Sequence, residues 1–192
     1  MSPSLEQLTE QFTRLIGTEA VLPKTPPLAS APGVGQVSDL THPNAAAPAT
    51  PAPAAVATPP PSPIQTVDHA RKGYHFDVSV AAGQVVAAAE ILDRAGFSLD
   101  TITGVDWIAQ NEMEVVYDYL HFASPLRVVV RARVARATPE LPTIAGVFPG
   151  ANWHERETHD FFGIRFAGHP NLTPFLLPED ADFHPLRKDY QP

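Results

Sequence analysis

Cysteine is absent from the 192 residues. That excludes a disulfide framework, thiolate-bound zinc and any iron–sulfur cluster held by the chain's own cysteines. Long apolar runs are lacking too: no stretch of about 18 apolar residues spans a bilayer, and no cationic start leads into an apolar segment, so no signal peptide is expected. Basic residues are few, 13 Lys and Arg against 21 Asp and Glu, for a formal charge of -8. Such a balance argues against non-specific binding to nucleic acid or anionic lipid. Missing as well are a phosphate-cradling Gly-rich loop, a nucleophile elbow and a dinucleotide fingerprint.

Proline is abundant instead, with 22 residues unevenly placed. More than half fall between Pro23 and Pro63, in a Pro/Ala/Thr tract containing NAAAPATPAPAAVATPPPSP. Such a segment buries too little surface to offset its ordering entropy, and its prolines join neither helix interiors nor ladders. A semi-extended spacer or a proline-rich ligand fits it. The tract divides the chain into an N-terminal segment (1–22), a linker or inserted loop (23–66) and a folded region (67–192).

In the first segment, Leu5, Leu8, Phe12, Leu15 and Ile16 follow helical spacing, with Ser4 as N-cap and Gly17 as stop. This amphipathic helix either packs on its own domain or binds elsewhere. In the folded region, residues 74–80 alternate as a strand, and Ala82 to Ala95 reads as a helix ended by Gly96. Leu99 to Ala109 reads as a strand interrupted by a bulge near Gly104. A hairpin follows: Met113, Val115, Tyr117 and Tyr119 alternate with acids, and Leu126, Val128, Val130, Ala132 and Val134 alternate with Arg127, Arg131 and Arg133 around an Ala123-Ser124-Pro125 turn. Acids then face arginines across the pair. Residues 139–149 read as a turn with a short helix. The pattern is an α+β two-layer sandwich, with a mixed or antiparallel sheet, helices on one face and an extended irregular C-terminal tail.

The chemistry is densest from Asn152 to Tyr190, where His154, His159, His169 and His184 fall among charged and aromatic residues. Asn152 and Glu155 have the spacing of a capping box, and Arg156 and Asp160 that of an ion pair on a helix ending at Gly163. His154 and His159 stand five apart, about 140° around a helix, so they cannot share a metal there. His169 and His184 each precede a proline, a context of rigid extended turns. The carboxylates of this region have structural partners and no pattern of a cleft. No metal, cofactor or catalytic group is therefore assigned, and the region reads as a surface for another polypeptide.

Those same residues resemble a known family. Ala151-Asn152-Trp153, Glu155-Arg156-Glu157, Asp160-Phe161-Phe162-Gly163-Ile164, Gly168-His169-Pro170-Asn171-Leu172, Leu177-Pro178-Glu179-Asp180 and His184-Pro185-Leu186-Arg187-Lys188-Asp189-Tyr190 are similar, block by block, to the signature of the 30 kDa (C-type) subunit of NADH–quinone oxidoreductase (respiratory complex I). Gly104-Val105-Asp106-Trp107 and the Glu114–Tyr119 strand also look like it. Two blocks depart from the usual pattern, at Thr173-Pro174-Phe175 and at Ala181-Asp182-Phe183.

The resemblance implies a peripheral subunit on the cytoplasmic face of the cell membrane, with no cofactor of its own. Iron–sulfur clusters, FMN and quinone would lie in partner subunits of an enzyme passing electrons from NADH to quinone with proton translocation. It further implies docking on a homologue of the 49 kDa (D-type) subunit and on neighbouring iron–sulfur subunits. Trp153, Glu155, Arg156, Glu157, Asp160, Phe162, Gly163, His169, Pro170, His184, Pro185, Leu186, Arg187, Lys188 and Asp189 would serve as structural and interface residues. A related membrane-bound nickel–iron hydrogenase is the alternative parent complex.

Overall fold

A computed structural model describes residues 3–18 and 62–191; the tract 19–61, where half of the prolines lie, is outside the described residues. Helix α1 (Leu5–Thr18) opens on a capping box: Ser4 Oγ accepts from Gln7 N–H, and Gln7 Oε1 accepts from Ser4 N–H. Its Leu8 and Phe12 are fully buried, Phe12 meets the Phe76 ring, and Gln84 Nε2 donates to Leu15 C=O. The helix thus packs on its own domain. Burial of each of the two side chains contributes about 1.5–3 kcal/mol.

A short strand β1 (Ile64–Thr66) leads through a single-turn helix α2 (His69–Lys72) to β2 (Phe76–Val80). Ordered structure therefore includes residues 64–66, three positions earlier than expected, because β1 pairs antiparallel with β2. A 3-10 turn (82–84) precedes α3 (Val85–Arg94), followed by β3 (Ser98–Trp107), β4 (Glu112–His121) and β5 (Leu126–Ala135). These strands form a five-stranded mixed sheet in the order β1-β2-β5-β4-β3, with β2 parallel to β5. The register shift in β3 lies between Leu99 and Thr101 and not at Gly104. Gly104 has another cause: a Cβ there would come within 2.5 Å of the Phe162 ring.

Period-2 alternation sends Phe76, Val78, Met113, Val115, Tyr117, Tyr119, Val128, Val130 and Ala132 to one face, all buried. That face carries the helices, so the architecture is α+β with two layers. The opposite face holds the cross-strand charges. Arg131 Nε donates to both oxygens of Asp77 (3.1 Å), Arg133 Nε to Glu114 (3.1 Å), and Arg127 pairs with Asp118 (3.0 Å) and Asp100.

Within residues 139–149 the expected turn is present, with Val147 N–H and Phe148 N–H both donating to Ile144 C=O, but the short helix is not. Glu140–Pro142 form strand β6, paired parallel with β7 (Arg165–Ala167), and α4 (Ala151–Phe162) connects the two. Buried Leu141 and Phe166 anchor this small second sheet. After β7 the tail has little regular structure.

Candidate interaction surface

Much of the tail is arranged around the C-terminal end of α4. The last carbonyls of a helix have no intrahelical donor, and here the tail supplies donors. His184 Nδ1 donates to Asp160 C=O (2.8 Å), Leu186 N–H to Phe161 C=O (3.1 Å) and Arg187 Nε to Phe162 C=O (2.7 Å). Gly163 follows with φ of 70°, and a side chain there would collide with His184 and Arg187. His159 Nδ1 donates to Ile164 C=O (2.9 Å).

Arg156 and Asp160 do not pair with each other, contrary to the helical expectation. Asp160 Oδ2 accepts from the backbone N–H groups of Phe175 (2.8 Å), Leu176 (2.7 Å) and Leu177 (3.2 Å). Burial alone would raise the Asp160 carboxyl, but these donors outweigh it and hold it below the usual carboxylate range. Arg156 donates to Thr173 C=O (3.0 Å) and Pro174 C=O (2.9 Å), with its guanidinium over the Trp153 and Phe175 rings. The acid binds tail donors and the base binds tail acceptors, so each finds partners its helical neighbour cannot offer.

A second clasp fixes the chain's end. Arg136 grips Asp106 through Nε (2.8 Å) and Nη2 (3.0 Å), and Nη2 also reaches Asp189 (2.6 Å). Lys188 N–H donates to Asp106 Oδ2 (2.8 Å). The Arg136 guanidinium, opposed by burial and aided by the Lys188 N–H, lowers the pKa of the Asp106 carboxyl.

Glu155 is no capping residue, since the N-cap of α4 is Gly150 and not Asn152, with no side-chain cap. Its side chain turns into the protein, 0% exposed, and accepts from Ile144 N–H (2.8 Å) and the Thr143 hydroxyl. Burial raises its pKa against those two donors. His169 Nε2 stands 3.8 Å away but donates to Asn152 C=O (3.2 Å), while its Nδ1 accepts from Asn171 N–H. Burial lowers the pKa of the His169 imidazole, against the Asn152 carbonyl, which raises it.

Of the residues assigned to an interface, Glu155, Asp160, Phe162, Gly163, His169, His184, Arg187 and Asp189 hold the tail or a turn to the chain's own domain. Pro170 and Pro185 are turn residues within that tail. Trp153, Glu157, Leu186 and Lys188 reach solvent. Among the described residues, five of the seven exposed large apolar side chains lie in this region: Trp153, Phe175, Leu176, Phe183 and Leu186. Sequence reasoning passed over Thr143 and Arg136, whose partners lie 12 and 30 residues away. Of the second clasp, the sequence singled out Asp106, Lys188 and Asp189 but not Arg136, which joins them. No group of three or more His, Asp and Glu side chains gathers as a metal site among the described residues. No described helix is long and apolar enough to cross a membrane.

The fold and the tail define a two-layer α+β domain that carries its C-terminal segment as a fixed strap, with Phe175, Leu176, Phe183 and Leu186 exposed among charged residues. Residues 78–192 match the family described as respiratory-chain NADH dehydrogenase, 30 Kd subunit, and the chain belongs to that family. The C-type subunit of the NADH-quinone oxidoreductase of Roseiflexus castenholzii is 47% identical over 92 residues, 47% of this chain and 53% of that protein. The C-type subunit of the F(420)H(2) dehydrogenase of Methanosarcina mazei is 40% identical over 94 residues, 48% of this chain and 60% of that one. This chain thus spans about half the length of the first of these relatives. A chain of the membrane-bound sulfane sulfur reductase, an archaeal respiratory membrane complex, superposes with a TM-score of 0.56 at 27% identity, over 60% of this chain and 71% of that one.

Proposed function

We propose that this chain is a non-catalytic subunit of the peripheral arm of a membrane-associated NADH–quinone oxidoreductase. It docks on a D-type subunit near the quinone site, on the cytoplasmic face of the membrane. Electron transfer from NADH to quinone, coupled to proton translocation, proceeds through FMN and iron–sulfur clusters in partner subunits, and this chain holds no cofactor. One observation carries the reading: Phe175, Leu176, Phe183 and Leu186 stand exposed on a tail that two sets of hydrogen bonds hold in one shape, with Trp153 of α4 exposed beside Phe175. Exposed apolar residues grouped in this way mark interaction sites, and a prearranged surface loses little entropy on docking.

The relatives named for F(420)H(2) dehydrogenase and sulfane sulfur reductase favour a second reading, in which the same subunit serves a complex with a different electron donor or acceptor. Isolation of the tagged chain from its native membranes in mild detergent separates the readings. A flavin-containing NADH module among the captured subunits supports the first, and a nickel-ligating D-type partner supports a hydrogenase. Recovery of the chain alone overturns both. Leu176→Asp, at a position 53% exposed, is expected to fold normally and to lose the captured partners.

A further inference from the structure

Between Phe175 and His184 the tail leaves one residue of α4 and returns to it. On the way out, Asp160 Oδ2 accepts from the N–H groups of Phe175, Leu176 and Leu177. On the way back, Asp160 C=O accepts from His184 Nδ1. Between these anchors Ala181 N–H donates to Pro178 C=O (3.1 Å), and the Phe183 ring stacks on Tyr190 with centroids 5.6 Å apart. The loop is therefore fixed at both ends, with Phe175 and Leu176 exposed on one limb and Phe183 on the other.

The tip between the limbs is acidic. Glu179, Asp180 and Asp182 are exposed, and none of them forms an ion pair among the described residues. The acids of the sheet differ: Asp77, Glu112, Glu114 and Asp118 each meet an arginine. Three like charges within four residues repel one another, and the fold supplies no cation to offset them. Protein interfaces surround an apolar centre with a polar rim, and the charges across them are opposite in sign.

We infer that the polypeptide docked on this loop presents an apolar surface rimmed by lysine and arginine side chains. Phe175, Leu176 and Phe183 meet the apolar part, and the cations lie against Glu179, Asp180 and Asp182. The chain itself is poorly suited to supply them. Its 19–61 tract holds Lys24 as the one Lys or Arg, against Glu19 and Asp39, and the proline-free stretch 33–42 carries Asp39 and no Lys or Arg. A second copy docked through the same loop would bring acid against acid.

The inference rests on the reading of this chain as an assembled subunit, and its test separates the two. The purified chain is added to native membranes of cells that lack it, and its association is followed at low and high salt. Glu179→Lys/Asp182→Lys should slow association by about tenfold or more at low salt, and should lose most of the salt dependence shown by the parent. Glu6→Lys/Asp93→Lys makes the same change of net charge on α1 and α3 and should leave the rate nearly unchanged. Equal slowing by this control pair would assign the effect to net charge and overturn the basic rim. Unaltered association of the Glu179→Lys/Asp182→Lys variant, with Leu176→Asp still failing to bind, would also overturn the rim and leave the docking reading standing. No association of the parent chain removes both. Carbodiimide, which joins a carboxylate to a lysine amine in contact with it, identifies the occupant. Links from residues 179–182 to Lys24, or to Lys72 of a second copy, would overturn the foreign partner.

Discussion

Phe162 lies over Gly104, so close that a Cβ at Gly104 would sit 2.5 Å from its Cδ2 atom and 2.9 Å from Cγ. The last residue of α4 and the middle of β3 are thereby held in direct contact, and the tail leaves α4 one residue later. Placement of the tail against the sheet depends on this approach. Gly104→Ala is expected to destabilise the domain by about 1–3 kcal/mol through overpacking. Urea unfolding of Gly104→Ala, Phe162→Leu and the double variant checks it. A double variant no better than the sum of the singles would show that the two residues do not compete for space.

Asp160 predicts how the tail responds to acid. Its folded pKa lies below the unfolded value of about 3.9. The stabilisation is therefore fully present above the unfolded value and disappears as pH falls through the depressed folded one. Fluorescence of Trp153, which contacts Phe175, should report release of the tail only below about pH 4. Asp160→Asn should weaken tail attachment at neutral pH, because a neutral amide oxygen accepts the three N–H groups less strongly than a carboxylate.

Glu155 has the opposite sign. Burial raises its folded pKa, so its contribution is fully present below the unfolded pKa of about 4.3 and declines as pH rises through the elevated folded value. Glu155→Gln keeps an acceptor for Ile144 N–H and carries no charge. Its unfolding free energy should fall less steeply than the parent's as pH rises above about 4. Parallel curves for the two proteins would remove Glu155 as the source of the slope.

Arg136→Ala leaves Asp106, whose side chain is 0% exposed, without its cation. Loss of one member of a buried pair costs about 3–5 kcal/mol. Thermal unfolding of the variant measures that loss. Asp106→Asn in the same background should restore much of it by removing the stranded charge. Asp189→Ala should matter far less, since Asp189 is half exposed.

Local patterns were readable where they were repeated. The β4–β5 hairpin follows from alternation over ten residues in each strand; its Glu114–Arg133 pair is directly opposed, and Asp118 meets Arg127 on the diagonal. The end of α4 at Gly163 was likewise legible. Three-residue strands β6 and β7 carry no such signal, because each forms only by pairing with the other across α4. At Glu155, Arg156 and Asp160 helical spacing suggested a cap and an ion pair. Partners from the turn at Thr143 and from the tail at Thr173–Leu177 displaced both. Gly104 read as a local bulge, whereas its cause is a ring 58 positions later (162 − 104).

Helix α1 has a bearing on how the molecule is made. Leu8 and Phe12 settle against β2 and α3, both encoded beyond the whole 19–61 tract. At roughly 5–20 residues per second, a ribosome exposes the helix several seconds before its seat exists. During that interval its apolar stripe faces solvent or a chaperone, and the length of the intervening tract sets the delay.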